Sequence, residues 1–253
     1  MMKALKGLAL PLLLLVLWQV WASLTGIQSD TLAAPLDIAR AFVVGLSDGS
    51  ILSATGVTLT AAGGGLLIGA GLGIVAGFLF GLLPPLSKLA RITVEVMRPI
   101  PAVAILPIAL LVFGFGYAME MAIIAFACFF PVMLLTESAI RQITPRLMEV
   151  ARVMRLTALQ RTFKIVLPAV LPRLFVALRL AAGIALIVSV TVEIAANPQG
   201  LGYSLMMAGQ SLRPADMFSI LFWIGVIGWG LNWVLVKTEL KLFPFHSLRR
   251  AAE

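Results

Sequence analysis

The sequence predicts an all-α, polytopic membrane protein with about six transmembrane helices, and three observations carry that prediction. Hydrophobic residues make up 61% of the 253-residue chain and charged residues only 12%, where an ordinary soluble domain holds about 45–50% and about 25%. Mean hydropathy is +1.06, more apolar surface than a water-facing shell can cover. The apolar residues gather into long runs, and the basic residues gather between those runs on one side. A soluble enzyme, a disordered chain and a secreted disulfide scaffold are thereby excluded. The single cysteine, Cys128, has no partner for an internal disulfide.

The first run, Leu8 to Leu24, follows Lys3 and Lys6, and Val20-Trp21-Ala22 has the form of a cleavage site. The run is long enough to span and is read as an uncleaved first helix. An outer loop from Thr25 to Gly56 carries Asp30, Asp37 and Asp48. The second run, Val57 to Leu83, holds Gly65, Gly69, Gly73, Gly77 and Gly81 at a spacing of four, a face on which another helix backbone can approach closely. Gly71-Leu-Gly73-Ile-Val-Ala76 mimics a dinucleotide fingerprint, but it lies inside an apolar span rather than between a strand and a helix. Helix packing is the reading kept.

The third run, Ala102 to Phe115, is the shortest, with the proline-rich stretch before it as a backward extension. The fourth is Ala118 to Leu135. Pro107 and Pro131 each remove a backbone donor and are expected to kink these two spans. Kinks suit a gate, yet proline is also common in membrane helices. The fifth run, Leu174 to Ala196, holds Glu193 near its outer end and Arg179 near its inner end. An intramembrane acid is a functional candidate or a residue reaching the interface, and Arg179 is expected to snorkel. The sixth run is Met217 to Val236. One transmembrane domain over 1–253 follows, with a first helix and outer loop at 1–56, a core at 57–240 and a tail at 241–253.

With both termini inside, 17 of the 19 Lys and Arg residues fall on the cytoplasmic side, and only Arg40 and Arg213 fall outside. The positive-inside rule is satisfied. The longest polar interruption, Glu137 to Arg173, is then cytoplasmic and reads as two short helices. Thr144 and Pro145 start the first, whose apolar face is Leu147, Val150, Ala151 and Met154, with Glu149 and Arg152 paired opposite. Thr157 and Gln160 form a capping box for the second, whose apolar face is Leu159, Phe163 and Val166, and which Pro168 ends. Periodicity alone leaves two readings, a hairpin resting on lipid headgroups and a docking surface for a cytoplasmic partner.

No catalytic constellation is present. The chain lacks a phosphate-cradling glycine loop followed by lysine. One histidine, His246, and one cysteine make no metal site. The four aspartates all lie in outer loops, and no aromatic-and-basic pattern favours nucleic acid. No inverted repeat of the kind common in secondary transporters is visible.

Glu149-Val150-Ala151 followed by Ile165-Val166-Leu167-Pro168 resembles the EAA signature of ABC importer permeases, with the full spacing from Glu149 to Pro168. Arg98-Pro99-Ile100-Pro101, Phe113-Gly114-Phe115-Gly116 and Gly200-Leu201-Gly202-Tyr203 extend the resemblance over about Val57 to Leu240, toward the nitrate, sulfonate and taurine branch. Val150 replaces the motif's alanine. Arg155 replaces its glycine at the bend between the two short helices, so either the bend is made differently or Arg155 meets the partner.

The resemblance implies a type I importer permease fold with a coupling segment between the fourth and fifth spans. It assigns ATPase docking to Glu149, Ala151, Arg152, Arg155, Leu156, Thr157, Ile165, Leu167 and Pro168. It implies a translocation pathway along the third to fifth spans, with Pro107, Pro131 and Glu193 as candidates. Two ATPase subunits would carry ATP and Mg, a second permease copy would complete a homodimer, and a periplasmic or lipid-anchored solute-binding protein would deliver a small anion. The chain would then be a multi-pass protein of the bacterial inner membrane with no cofactor of its own. An ion-gradient-driven secondary transporter is the alternative.

Overall fold

The computed structural model describes residues 2–25 and 31–242, and among them every regular element is helical. Asp30, His246, Arg249 and Arg250, with the rest of the tail from residue 243, lie outside the described residues, as do the Lys3 and Lys6 side chains. The chain divides into two compact units, Met1–Thr58 with Glu193–Ile227, and Leu59–Val192 with Gly228–Glu253. The helices are α1 (Met2–Thr25), α2 (Pro35–Ser47), α3 (Ser50–Leu82), α4 (Pro84–Met97), α5 (Leu106–Phe113), α6 (Tyr117–Arg141), α7 (Pro145–Val153), α8 (Ala158–Arg161), α9 (Leu167–Ala195), α10 (Gly200–Gln210) and α11 (Pro214–Leu242).

Among the described residues four helical stretches are long and apolar enough to cross a membrane: Ser50–Leu82, Tyr117–Arg141, Ala158–Ala195 and Pro214–Leu242. A fifth arises if Pro84–Met97 and Ala102–Phe113, bent by 85°, make one span. In α1 the apolar stretch Leu13–Leu24 is shorter. The sharp bend thus lies before the third run, at the proline-rich stretch, rather than at Pro107 within it. Pro99 and Pro101 supply no amide hydrogens after α4, and a short 3₁₀ turn, Ala102–Ile105, leads into α5. Pro107 does not kink a span. It stands in the first turn of α5, where a missing donor costs nothing. Gly114 (φ 69) and Gly116 (φ 118) stop α5 and turn the chain into α6.

In the second unit, α3 lies against α6 along its glycine face. A methyl group at Gly69 would fall on the Ala125 carbonyl oxygen, and one at Gly73 would stand 2.7 Å from that of Phe129. Gly65, Gly77 and Gly81 face the side chains of Ile124, Thr136 and Ile140 at similarly close range. Backbone contact this close is the main packing force between apolar helices in lipid, where exclusion from water contributes little. Ala61, Ala62, Ala70, Ile124, Cys128, Val132, Ala181 and Ala185 form one buried cluster, and a second joins Ala139, Ile140, Val166, Val170 and Leu174. Arg179 pairs with Glu239 of α11 at 3.3 Å. On α11, Trp229 and Trp233 stack and Lys237 lies 3.9 Å over the Trp233 ring, a ladder one helical turn per step.

The first unit contains a helix where the sequence suggests only an outer loop. α2 begins with Pro35 as its first residue, and Gln19 of α1 accepts the Leu36 amide at 2.9 Å. Phe42 packs on Phe222 and Trp223, and the Trp223 indole donates to Thr55 Oγ1 at 2.9 Å. Arg40 and Arg213, the two cations assigned outside, pair with Asp37 at 3.5 Å and Asp216 at 3.3 Å.

Candidate functional site

The segment from Thr144 to Pro168 is a tight helical hairpin. Pro145 opens α7, although the Thr144 hydroxyl makes no capping bond. The α7 C-terminus closes through Arg155, which takes a left-handed conformation with φ 49. The Leu156 amide donates to the Ala151 carbonyl at 3.1 Å and the Arg155 amide to that of Arg152 at 3.0 Å, satisfying carbonyls the helix end would leave open. Thr157 and Gln160 then form the expected capping box, Gln160 N–H to Thr157 Oγ1 at 3.3 Å and Thr157 N–H to Gln160 Oε1 at 3.1 Å.

Pro168 does not end the second helix. A π-helical turn over Thr162–Val166 carries α8 into α9, and the Leu167 amide bonds to the Thr162 carbonyl five residues back. Widening the turn gives room for the Pro168 ring, which would clash with a carbonyl in α register. The hairpin is thus continuous with a 38-residue helix.

The two apolar faces are only partly covered within the chain. Ala151 and Val166 are buried, and Met148 packs partly into the second cluster. Leu147, Val150, Met154, Leu159 and Phe163 stay exposed, and Val153 is 84% exposed. Glu149, Arg152 and Arg155 are exposed beside them. Among the described residues no ion pair joins Glu149 to Arg152. Of the other residues assigned to this segment, Leu156, Ile165 and Leu167 are half-buried, while Thr157 and Pro168 are exposed. The hairpin therefore presents greasy and charged side chains together, on a frame fixed by its own caps.

The second unit also holds a cavity of about 570 Å³ lined from three elements. Arg98, Ile100 and Ala102 come from the break after α4, Phe126, Phe130 and Pro131 from α6, and Leu180, Ile184 and Val188 from α9. Of the three pathway candidates only Pro131 lines it. Glu193 serves elsewhere, in the first unit. Its Oε2 accepts the Gly202 amide at 2.7 Å, while Thr58 Oγ1 accepts the Leu201 amide at 2.9 Å. Both amides belong to the first turn of α10, so the two side chains cap that helix from α9 and α3. Gly200 (φ 90) permits this, because a methyl group there would fall on the Glu193 carboxylate. A second buried acid, Glu120 of α6, accepts from Ser189 Oγ at 2.5 Å. Glu120 is not among the residues expected from the sequence, although an acid inside an apolar run was the available signal.

Residues 69–236 match the family described as binding-protein-dependent transport system inner membrane component. A Bacillus subtilis protein provisionally named aliphatic sulfonates transport permease protein SsuC is 32% identical, over 96% of this chain and 88% of its own length. The bicarbonate transport system permease protein CmpB of Synechococcus elongatus is 29% identical over 91% of each. The taurine transport system permease protein TauC of Escherichia coli is 26% identical over 69% of this chain and 64% of its own. Among solved structures, a chain of the MetNI methionine ABC transporter in an inward-facing conformation superposes with a TM-score of 0.62 at 18% identity. That match covers 72% of this chain and 92% of the other.

Proposed function

The chain belongs to the binding-protein-dependent transport system inner membrane components, the permeases of ABC importers, and from that premise we propose how it works. It forms the translocation pathway, as a homodimer, and takes its energy from two ATPase subunits docked on the hairpin from Thr144 to Pro168. A solute-binding protein delivers a small anion such as a sulfonate, taurine or nitrate, and both termini lie in the cytoplasm.

The observation that carries this reading is the hairpin itself. Its apolar side chains are exposed on a chain that has no nucleotide loop of its own. Its internal caps and its continuity with α9 make it a rigid lever, so closure of the ATPases displaces a span rather than deforming a loop. Coupling of this kind requires different contacts in the ATP-bound and ATP-free states. Glu149, Arg152 and Arg155 supply charges that can be gained or lost in that change, and Val153 and Leu159 supply the buried anchor. The cavity under Arg98, flanked by elements of the third, fourth and fifth spans, is the pathway segment.

Glu149→Ala and Val153→Asp test the reading in proteoliposomes with the ATPase and binding protein. Both residues are exposed, so thermal stability is expected to stay within about 0.5 kcal/mol of wild type. Substrate-stimulated ATP hydrolysis and uptake are expected to fall about tenfold or more, as for the loss of an interface anchor. Wild-type uptake in both variants would remove the hairpin from the mechanism. Uptake that survives without ATP but fails when the proton gradient collapses would establish the secondary transporter instead.

A further inference from the structure

Arg98 is the one charged side chain among the residues lining the 570 Å³ cavity, whose other walls are aliphatic and aromatic. Among the described residues it has no carboxylate partner. In its unit Glu95 pairs with Arg91, Glu137 with Arg141 and Glu239 with Arg179, and Glu120 bonds Ser189. Its backbone is held on both sides. The Arg98 amide bonds the Val94 carbonyl at 2.9 Å as the C-cap of α4, and Pro99 and Pro101 stiffen the chain beyond it. The α4 C-terminus offers it only the partial negative charge of a helix end. A guanidinium carried on this held backbone presents a planar fork that matches carboxylate or sulfonate oxygens. The volume falls in the range of small-molecule pockets.

We propose that this cavity is a passage site for an amphiphilic organic anion, a sulfonate or carboxylate head on an apolar tail, with Arg98 as the residue that selects its charge. The proposal rests on the reading of the chain as a permease whose pathway runs here. An inorganic anion satisfies the guanidinium but leaves the apolar walls unused, and a neutral alkyl compound does the reverse. The preference for a headed tail comes from the two together.

The test places one thiol in the cavity wall, Ala127→Cys in a Cys128→Ala background, in the full-length chain held in phosphatidylcholine nanodiscs. The readout is the rate of labelling by neutral N-ethylmaleimide. Butane-1-sulfonate is expected to slow labelling, while butan-1-ol and sulfate leave it unchanged. Arg98→Gln is expected to weaken the protection about tenfold, the loss of one charged hydrogen-bonding partner, without changing the unprotected rate. Arg98→Lys, which retains the charge without the fork, is expected to keep part of it and guards against misfolding of the first variant. Protection by sulfate alone, or protection indifferent to Arg98→Gln, overturns the proposal. So does equal protection by phosphatidylglycerol in the nanodisc without any sulfonate, which would make this a lipid site. A thiol that no reagent reaches overturns the pathway reading itself, a distinct outcome.

Discussion

Arg155 stands where the family resemblance expects glycine, and it adopts the left-handed conformation that glycine would have adopted. The bend is made in the ordinary way at a cost of about 1 kcal/mol or more for the side chain. Leu212, with φ 53, closes α10 by the same paired bonds, Arg213 N–H to Ala208 O at 2.9 Å and Leu212 N–H to Gly209 O at 3.1 Å. Arg155→Gly and Leu212→Gly are each expected to raise stability by about 0.5–1 kcal/mol, read as a higher melting temperature in detergent. For Arg155→Gly the gain is expected to come with weaker coupling, which separates its backbone conformation from its charge. The motif spacing made Arg155 legible in the sequence; Leu212 carried no such signal, since leucine rarely occupies that conformation. Glu193 was legible as an acid near the end of an apolar run but not in its burial or its role, because its surroundings at 201, 202 and 58 are set by tertiary structure. Glu193→Ala is expected to uncap α10 and destabilise the fold by about 1–3 kcal/mol, with Glu193→Gln retaining an acceptor and most of the loss recovered. Asp48, outside the spans, has its carboxyl held below the usual range by bonds from the Ser50 hydroxyl and amide. A depressed folded-state value means that this turn contributes fully above the ordinary carboxylate pKa and fades as pH falls through the lower folded value.

Among elements, α3 was the most legible, since glycines four residues apart fix both the helix and its packing face. At Gly69 the wall is the Ala125 backbone, and backbone cannot yield. Gly69→Ala, facing the Ala125 carbonyl, is expected to cost about 1–3 kcal/mol by overpacking, whereas Gly71→Ala, with nothing within 4 Å, is expected to be neutral or slightly stabilising. Thermal unfolding of the two variants in the same detergent checks the pair. The bend before α5 was half legible: the prolines announced irregular backbone, but the kink was expected at Pro107 rather than in the stretch before Ala102. α2 and α10 were missed because such short helices lack the long apolar stretch that marks a span. The hairpin after α6 was legible in its Thr157–Gln160 capping box and not in the Thr144 cap or the Glu149–Arg152 pair, neither of which forms. Helical periodicity finds which residues share a face, not whether a neighbour covers it, and here most of the apolar face is uncovered. Pro168 misled for a related reason, since a π turn lets a helix pass through proline and nothing in the sequence marks a π turn.

Across the whole chain the membrane class came from composition, and the sidedness from 17 cations against two. Apolar exposure is wide, with only 17% of the most apolar window of α11 buried and 28% of that of α3. Such surface suits lipid and further subunits. At this scale everything turns on whether a separate ATPase drives the chain through its hairpin. Recovery of the tagged chain from native membranes in mild detergent decides the matter, with and without Val153→Asp and Glu149→Ala. A P-loop ATPase is expected near one-to-one with the wild-type chain and largely absent from the double variant. An intact chain recovered without any ATPase, or an ATPase held equally by the double variant, would contradict this.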